Sequence, residues 1–109
     1  MKIGMQKIDG WMHVIVDGNI DHENSQAFSA EVLNQINQGE CNLRLDMARC
    51  EFVSSSGLGA IAAALMVARS RGGDIEVLNA CANVRNLFRT TKLRAINFYK
   101  LWYNAIRRH

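Results

Sequence analysis

Apolar residues in this chain switch repeatedly between the period of a strand and the period of a helix, and that alternation limits the possible folds more than any single motif. Ile3 to Ile8 and Trp11 to Val16 are apolar-patterned runs separated only by Asp9-Gly10. That dipeptide tolerates the positive φ values of a two-residue hairpin turn, so the two runs predict paired antiparallel strands. In the second run Met12, Val14 and Val16 share one face, and Trp11, His13 and Ile15 share the other. Phe28, Val32, Leu33 and Ile36 then recur at helical spacing, with Gly39 as a stop. Leu43, Leu45 and Met47 alternate with Asn42, Arg44 and Asp46, the pattern of a strand with one buried face. A second apolar helix ends at Gly72-Gly73, and Ile75 to Leu78 reads as a strand. Asn83 to Arg89 predicts a short helix with Val84, Leu87 and Phe88 on one side. Ala95 to Phe98 is a candidate edge strand, and Leu101, Trp102, Ala105 and Ile106 form the apolar stripe of a C-terminal helix. Strands separated by helices need crossover connections. The expectation is one α/β domain over residues 1–109, its sheet mixed but mostly parallel, with roughly four to five strands and about four helices.

At 109 residues, 49% hydrophobic and 21% charged, the chain can bury a core without metal or disulfide staples. The longest apolar run, Leu58 to Ala68, is too short to span a bilayer, so no stable membrane insertion is expected. Met1 to Lys7 lacks the apolar stretch of a signal peptide. Cys41, Cys50 and Cys81 are odd in number and show no C-x-x-C spacing, which suits a reducing cytoplasm better than a disulfide framework or a zinc site. His13, His22 and His109 show no ligand spacing either, and neither metal nor cofactor is expected. Charge is uneven: residues 1–81 hold six Lys/Arg and all ten Asp/Glu, whereas residues 82–109 hold seven Lys/Arg and no acid. Such a basic third could meet nucleic acid, an anionic membrane or an acidic partner. A solvated helix face is the simpler reading, and no reading helix or aromatic platform for a specific nucleic acid is present.

The chemistry is concentrated in Phe52-Val53-Ser54-Ser55-Ser56-Gly57-Leu58-Gly59. Three hydroxyls precede two glycines where a helix should begin. The first N–H groups of a helix lack partners and the macrodipole is positive there, so an anion is welcome. A hydroxyl at that point can cap the helix, bind an anion or become a phosphoester. Gly57-Leu58-Gly59-Ala60-Ile61-Ala62 also fits the dinucleotide pattern G-x-G-x-x-G/A, but that fingerprint should follow its strand at once, and the strand here ends near Met47. Glu76 lies inside the next strand, where a ribose-binding acid should close it. No serine has glycines two residues before and after it, as a nucleophile elbow requires, and His22 beside Asp21 is a lone base. Catalysis is not expected.

Three segments of the chain resemble the STAS domains, and among them the anti-sigma-factor antagonists. Ser54 to Gly59 matches that family's D-S-S-G-L-G block at five of six positions, with Ser54 where the acid usually stands. Gly18-Asn19-Ile20-Asp21-His22 is similar to the family's G-x-L/I-D-H block, and Leu87-Phe88-Arg89 with Leu93 to its late L-F…L segment. The resemblance implies that Ser55 is a phosphoacceptor, with Ser54 and Ser56 as alternatives. It implies that Asp21 lies near the serine loop and contributes to kinase recognition. Partner contact is then expected from Asp21, Ser54, Ser56, Gly57, Leu58, Ala60 and Ala64. The implied partners are an anti-sigma factor with a histidine-kinase-like ATPase domain and a serine phosphatase, acting by partner switching. A different role for a STAS domain is as a subunit of a lipid- or anion-transport complex, without phosphorylation.

From the residues alone, the second helix has two open readings. Leu58, Ile61, Leu65 and Ala68 make one stripe, and Ala60, Ala63, Ala64 and Val67 carry apolar character around most of the remainder. A helix apolar nearly all round is either deeply buried or covered by a partner. Asp21 likewise has a purely structural reading, as a helix-start cap.

Overall fold

The computed structural model describes residues 1–91, 93 and 96–99. Strands β1 (Lys2–Ile8) and β2 (Trp11–Asp17) form the expected hairpin, with Ile8 opposite Trp11. Asp9 at φ 51° and Gly10 at φ 85° supply the two left-handed positions of the turn. Helix α1 (Ser25–Asn37) crosses to β3 (Asn42–Arg49), α2 (Ser55–Ser70) to β4 (Asp74–Leu78), and α3 (Ala82–Arg89) precedes β5 (Asn97–Tyr99). The spatial order is β1-β2-β3-β4-β5, parallel throughout except for the first pair. The edge strand expected at Ala95–Phe98 is present as β5, slightly later in the chain. Three helices stand among the described residues; the C-terminal helix expected around Leu101, Trp102, Ala105 and Ile106 lies outside them.

Register fixes which face is the core. Val14 pairs with Leu45 and Leu45 with Val77, so the three stand on one face of the sheet. They are buried with Val16, Leu43, Met47 and Ile75, and Phe28, Val32 and Ile36 of α1 and Leu58, Ile61, Leu65 and Ala68 of α2 join the same core. On the opposite face His13, Arg44 and Glu76 are register partners. There the Arg44 guanidinium lies 4.4 Å from the Trp11 ring centroid and its Nε donates to Glu76 Oε1 at 3.0 Å. Glu76 therefore holds an arginine in mid-strand, which removes it from any ribose-binding role.

Candidate functional site

Two loops meet at the carboxyl ends of β2 and β3. Ile20 bridges to Val53 in parallel fashion, its N–H donating to the Phe52 carbonyl at 3.1 Å while its own carbonyl accepts from Ser54 N at 2.8 Å. Asn19 Oδ1 reinforces the junction by accepting from the N–H groups of Glu51 at 2.9 Å and Phe52 at 3.2 Å. The Gly18–His22 segment and the serine motif, far apart in sequence, are thereby laid side by side. Gly57 makes the contact possible. A Cβ there would stand 2.7 Å from Ile20 Cγ2 and 2.8 Å from Val53 Cγ1, closer than carbon atoms can pack.

The three serines have three different situations. Ser54 is the N-cap of α2: its backbone is extended and its Oγ accepts from Gly57 N at 3.1 Å. A hydroxyl thus performs the capping that a carboxylate would perform at this position, without the charge. Ser56 Oγ lies 3.0 Å from Ser54 Oγ and 3.2 Å from His22 Nδ1, so it is the middle of a short polar chain. Ser55 is exposed, and its hydroxyl has no hydrogen-bond partner among the described residues. It is the first residue of α2, where partnerless N–H groups and the helix dipole favour an anion.

Asp21 is brought to the same end of the molecule but does not cap α1. Asp21 Oδ1 accepts from Asn24 N at 2.8 Å, Asn24 Oδ1 accepts from Asp21 N at 2.9 Å, and Asn24 itself is the N-cap. The carboxylate thus shapes the turn before the helix and stays exposed.

Three expected contact residues are corrected by burial. Gly57 is buried against Ile20 and Val53, Leu58 is 8% exposed and Ala64 only 1% exposed. Leu58 and Ala64 belong to the core and Gly57 is packed beneath Ile20 and Val53, so these three turn away from the surface that a docked partner touches. Ala60 is half-buried. The accessible face of α2 instead carries Ser55, Gly59, Ala63 and Met66, at the i, i+4, i+8 and i+11 positions of one helical stripe. Met66 is 73% exposed and Phe52, in the loop before the serines, is 45% exposed. Met66 belongs to no motif, and Phe52 heads the serine stretch without being an expected contact residue. In an apolar helix, or beside the core residue Val53, a large apolar side chain carries no mark of being outside.

Among the described residues, no cluster of His, Cys, Asp or Glu could hold a metal ion, and no helix is long and apolar enough to cross a membrane. An antiparallel hairpin feeding a parallel sheet, with a serine-capped helix beside a G-x-I-D turn, defines a class of small α/β domain. The chain belongs to the STAS domain family, in its anti-sigma-factor antagonist type. The family model described as Mlab, STAS domain, matches residues 3–98. A protein of Bordetella bronchiseptica named as the anti-sigma factor antagonist BtrV is 30% identical over 88 residues, covering 81% of this chain and 76% of that protein. Among solved structures, an anti-sigma factor antagonist of Thermotoga maritima superposes with a TM-score of 0.86 at 21% identity, covering 97% of this chain and 92% of the other. The Bacillus cell-fate determinant SpoIIAA, in its phosphorylated form, superposes at 0.76 with 20% identity, covering 98% of each chain.

Proposed function

We propose that the protein antagonises an anti-sigma factor by partner switching, with Ser55 as the reversible phosphoacceptor. The observation that carries this reading is the free, exposed Ser55 hydroxyl on a helix start beside the Phe52 and Met66 surface. Ser54 and Ser56 are both engaged by neighbours, so Ser55 is the hydroxyl a kinase reaches without dismantling the cap. The unphosphorylated domain binds a histidine-kinase-like anti-sigma factor through the exposed stripe of α2, the 52–56 loop and Asp21, and the sigma factor is released. The partner's ATP then phosphorylates Ser55. Phosphate adds close to two negative charges, which a helix N-terminus tolerates but a desolvated interface does not. Asp21, on the neighbouring loop, adds a like charge to the same surface. The complex separates and a serine phosphatase restores the acceptor. The protein works in the cytoplasm as ligand and phosphoacceptor, without a catalytic step of its own and without a cofactor.

Affinity for the kinase partner and the site of phosphate test the reading together. Ser55→Ala abolishes labelling from ATP and keeps the affinity, whereas Ser55→Asp weakens it at least about tenfold, ~1.4 kcal/mol. Phosphate mapped by mass spectrometry to Ser54 or Ser56 moves the acceptor. An active, bound kinase that transfers no phosphate overturns the switch, as does co-purification with membrane transport subunits in place of a kinase.

A further inference from the structure

Two of the three cysteines converge on the loop that leads into the serine motif. Cys50 follows β3 and Cys81 is the N-cap of α3, and they stand 31 residues apart in sequence. Cys50 is buried and its thiol donates to the Phe52 carbonyl at 3.3 Å. Cys81 is exposed, and its thiol approaches the carbonyls of Cys50 at 3.7 Å and Glu51 at 4.0 Å. Asn83 Nδ2 donates to the same Glu51 carbonyl at 2.8 Å, so the start of α3 is already fastened to residues 50–51. Both sulfurs thus lie around one short stretch of backbone. Standard geometry puts a carbonyl oxygen about 2.4 Å from its own Cα, so Cys81 Sγ lies within about 6 Å of Cys50 Cα. Closure requires the Cys50 thiol to rotate away from the Phe52 carbonyl and from the Ile20 backbone toward Cys81.

We propose that Cys50 and Cys81 are a redox modification site: a low-molecular-weight disulfide converts them to an intramolecular disulfide that locks the 50–53 loop to α3. The two thiols have separate tasks. Cys81 is the one a soluble oxidant reaches. Its thiolate attacks one sulfur of the oxidant, a mixed disulfide forms, and the first small thiolate leaves. Cys50 then loses its proton to solvent, and its thiolate attacks the Cys81 sulfur and expels the second small thiolate. Two protein thiols are oxidised by two electrons, and one small disulfide is reduced to two thiols. Burial raises the Cys50 thiol above its ordinary range, which fits it to the second step, where the electrophile is already delivered beside it. Cys41 takes no part, because it precedes β3 while Cys50 follows it, a full strand length away.

The test is oxidation of the full chain with oxidised glutathione, quenching with an alkylating agent in denaturant, and mapping of the peptides. The expected product is a monomer lighter by two hydrogens, with the Cys50 and Cys81 peptides joined and dithiothreitol restoring both thiols. Cys81→Ser abolishes it and Cys41→Ser leaves it unchanged. In the oxidised form, amide hydrogen exchange over residues 50–53 slows by about tenfold or more, because the loop can no longer open apart from α3. Oxidation that stops at a mixed disulfide on Cys81, a linkage through Cys41 or between chains, or unchanged exchange over residues 50–53 overturns the proposal.

Discussion

Gly57 and Gly59 stand two residues apart in the same helix, and a single methyl group separates their roles. At Gly57 it would press into Ile20 and Val53, the pair that joins the two loops of the site. At Gly59 it would meet nothing within 4 Å. Gly57→Ala is therefore expected to destabilise the fold by about 1–3 kcal/mol, the ordinary range for overpacking. Gly59→Ala is expected to leave stability unchanged or raise it by about 0.5–1 kcal/mol through helix propensity. Urea denaturation of the two variants checks both signs, and equal destabilisation would contradict the packing described. The Gly-x-Gly spacing was plain in the sequence, but the need for only one of the two glycines was not. That need arises where Ile20 crosses the helix start, and Ile20 is 37 residues away from Gly57 in the chain.

At the scale of the element, α2 shows how an apolar helix divides between core and surface. Leu58, Ile61, Leu65 and Ala68 pack inward, as their stripe predicts. Ala63 and Ala64 are neighbours of identical chemistry, yet Ala63 is exposed and Ala64 is buried. Ala64→Glu is expected to unfold the domain or cost several kcal/mol, since the carboxylate would enter the core without a partner. Ala63→Glu keeps the thermal midpoint within a few degrees and, on the proposed reading, weakens the kinase partner by its charge and bulk. Circular dichroism melts of the two, with a binding titration of the Ala63 variant, separate core from docking face. If Ala63→Glu melts the domain as Ala64→Glu does, the exposed stripe has been misplaced. Periodicity locates a helix and its most apolar side. It says little about a side lined with alanine, because a residue that small fits both core and surface.

For the molecule as a whole, the two faces of the sheet behave differently with pH. One is sealed by α1 and α2. The other holds His13, 4% exposed, its Nε2 without a hydrogen-bond partner among the described residues. Burial, and then the Arg44 charge, push its pKa below the ordinary 6.5, while Asp46 and Asp9 oppose them more weakly. Above pH 6.5 the imidazole is neutral in folded and unfolded chains alike, so it carries no penalty. Below that, the unfolded chain takes up a proton that the folded one refuses, and stability falls with pH until the depressed folded value is reached. Thermal midpoints measured from pH 7 to 5 are expected to decline, and His13→Val to decline less steeply. Equal slopes would mean that acid acts elsewhere. The element order, the hairpin turn and the approximate limits of the strands and helices were determined by the sequence itself, because turn chemistry and apolar period act over a few neighbouring residues. The pairing of the serine loop with Gly18–His22, the burial of Ala64 beside an exposed Ala63, the exposure of Met66 and Phe52 and the meeting of Cys50 with Cys81 were decided only by tertiary structure. Each depends on which residues from distant parts of the chain the sheet register and the crossovers bring together, and no local pattern contains that.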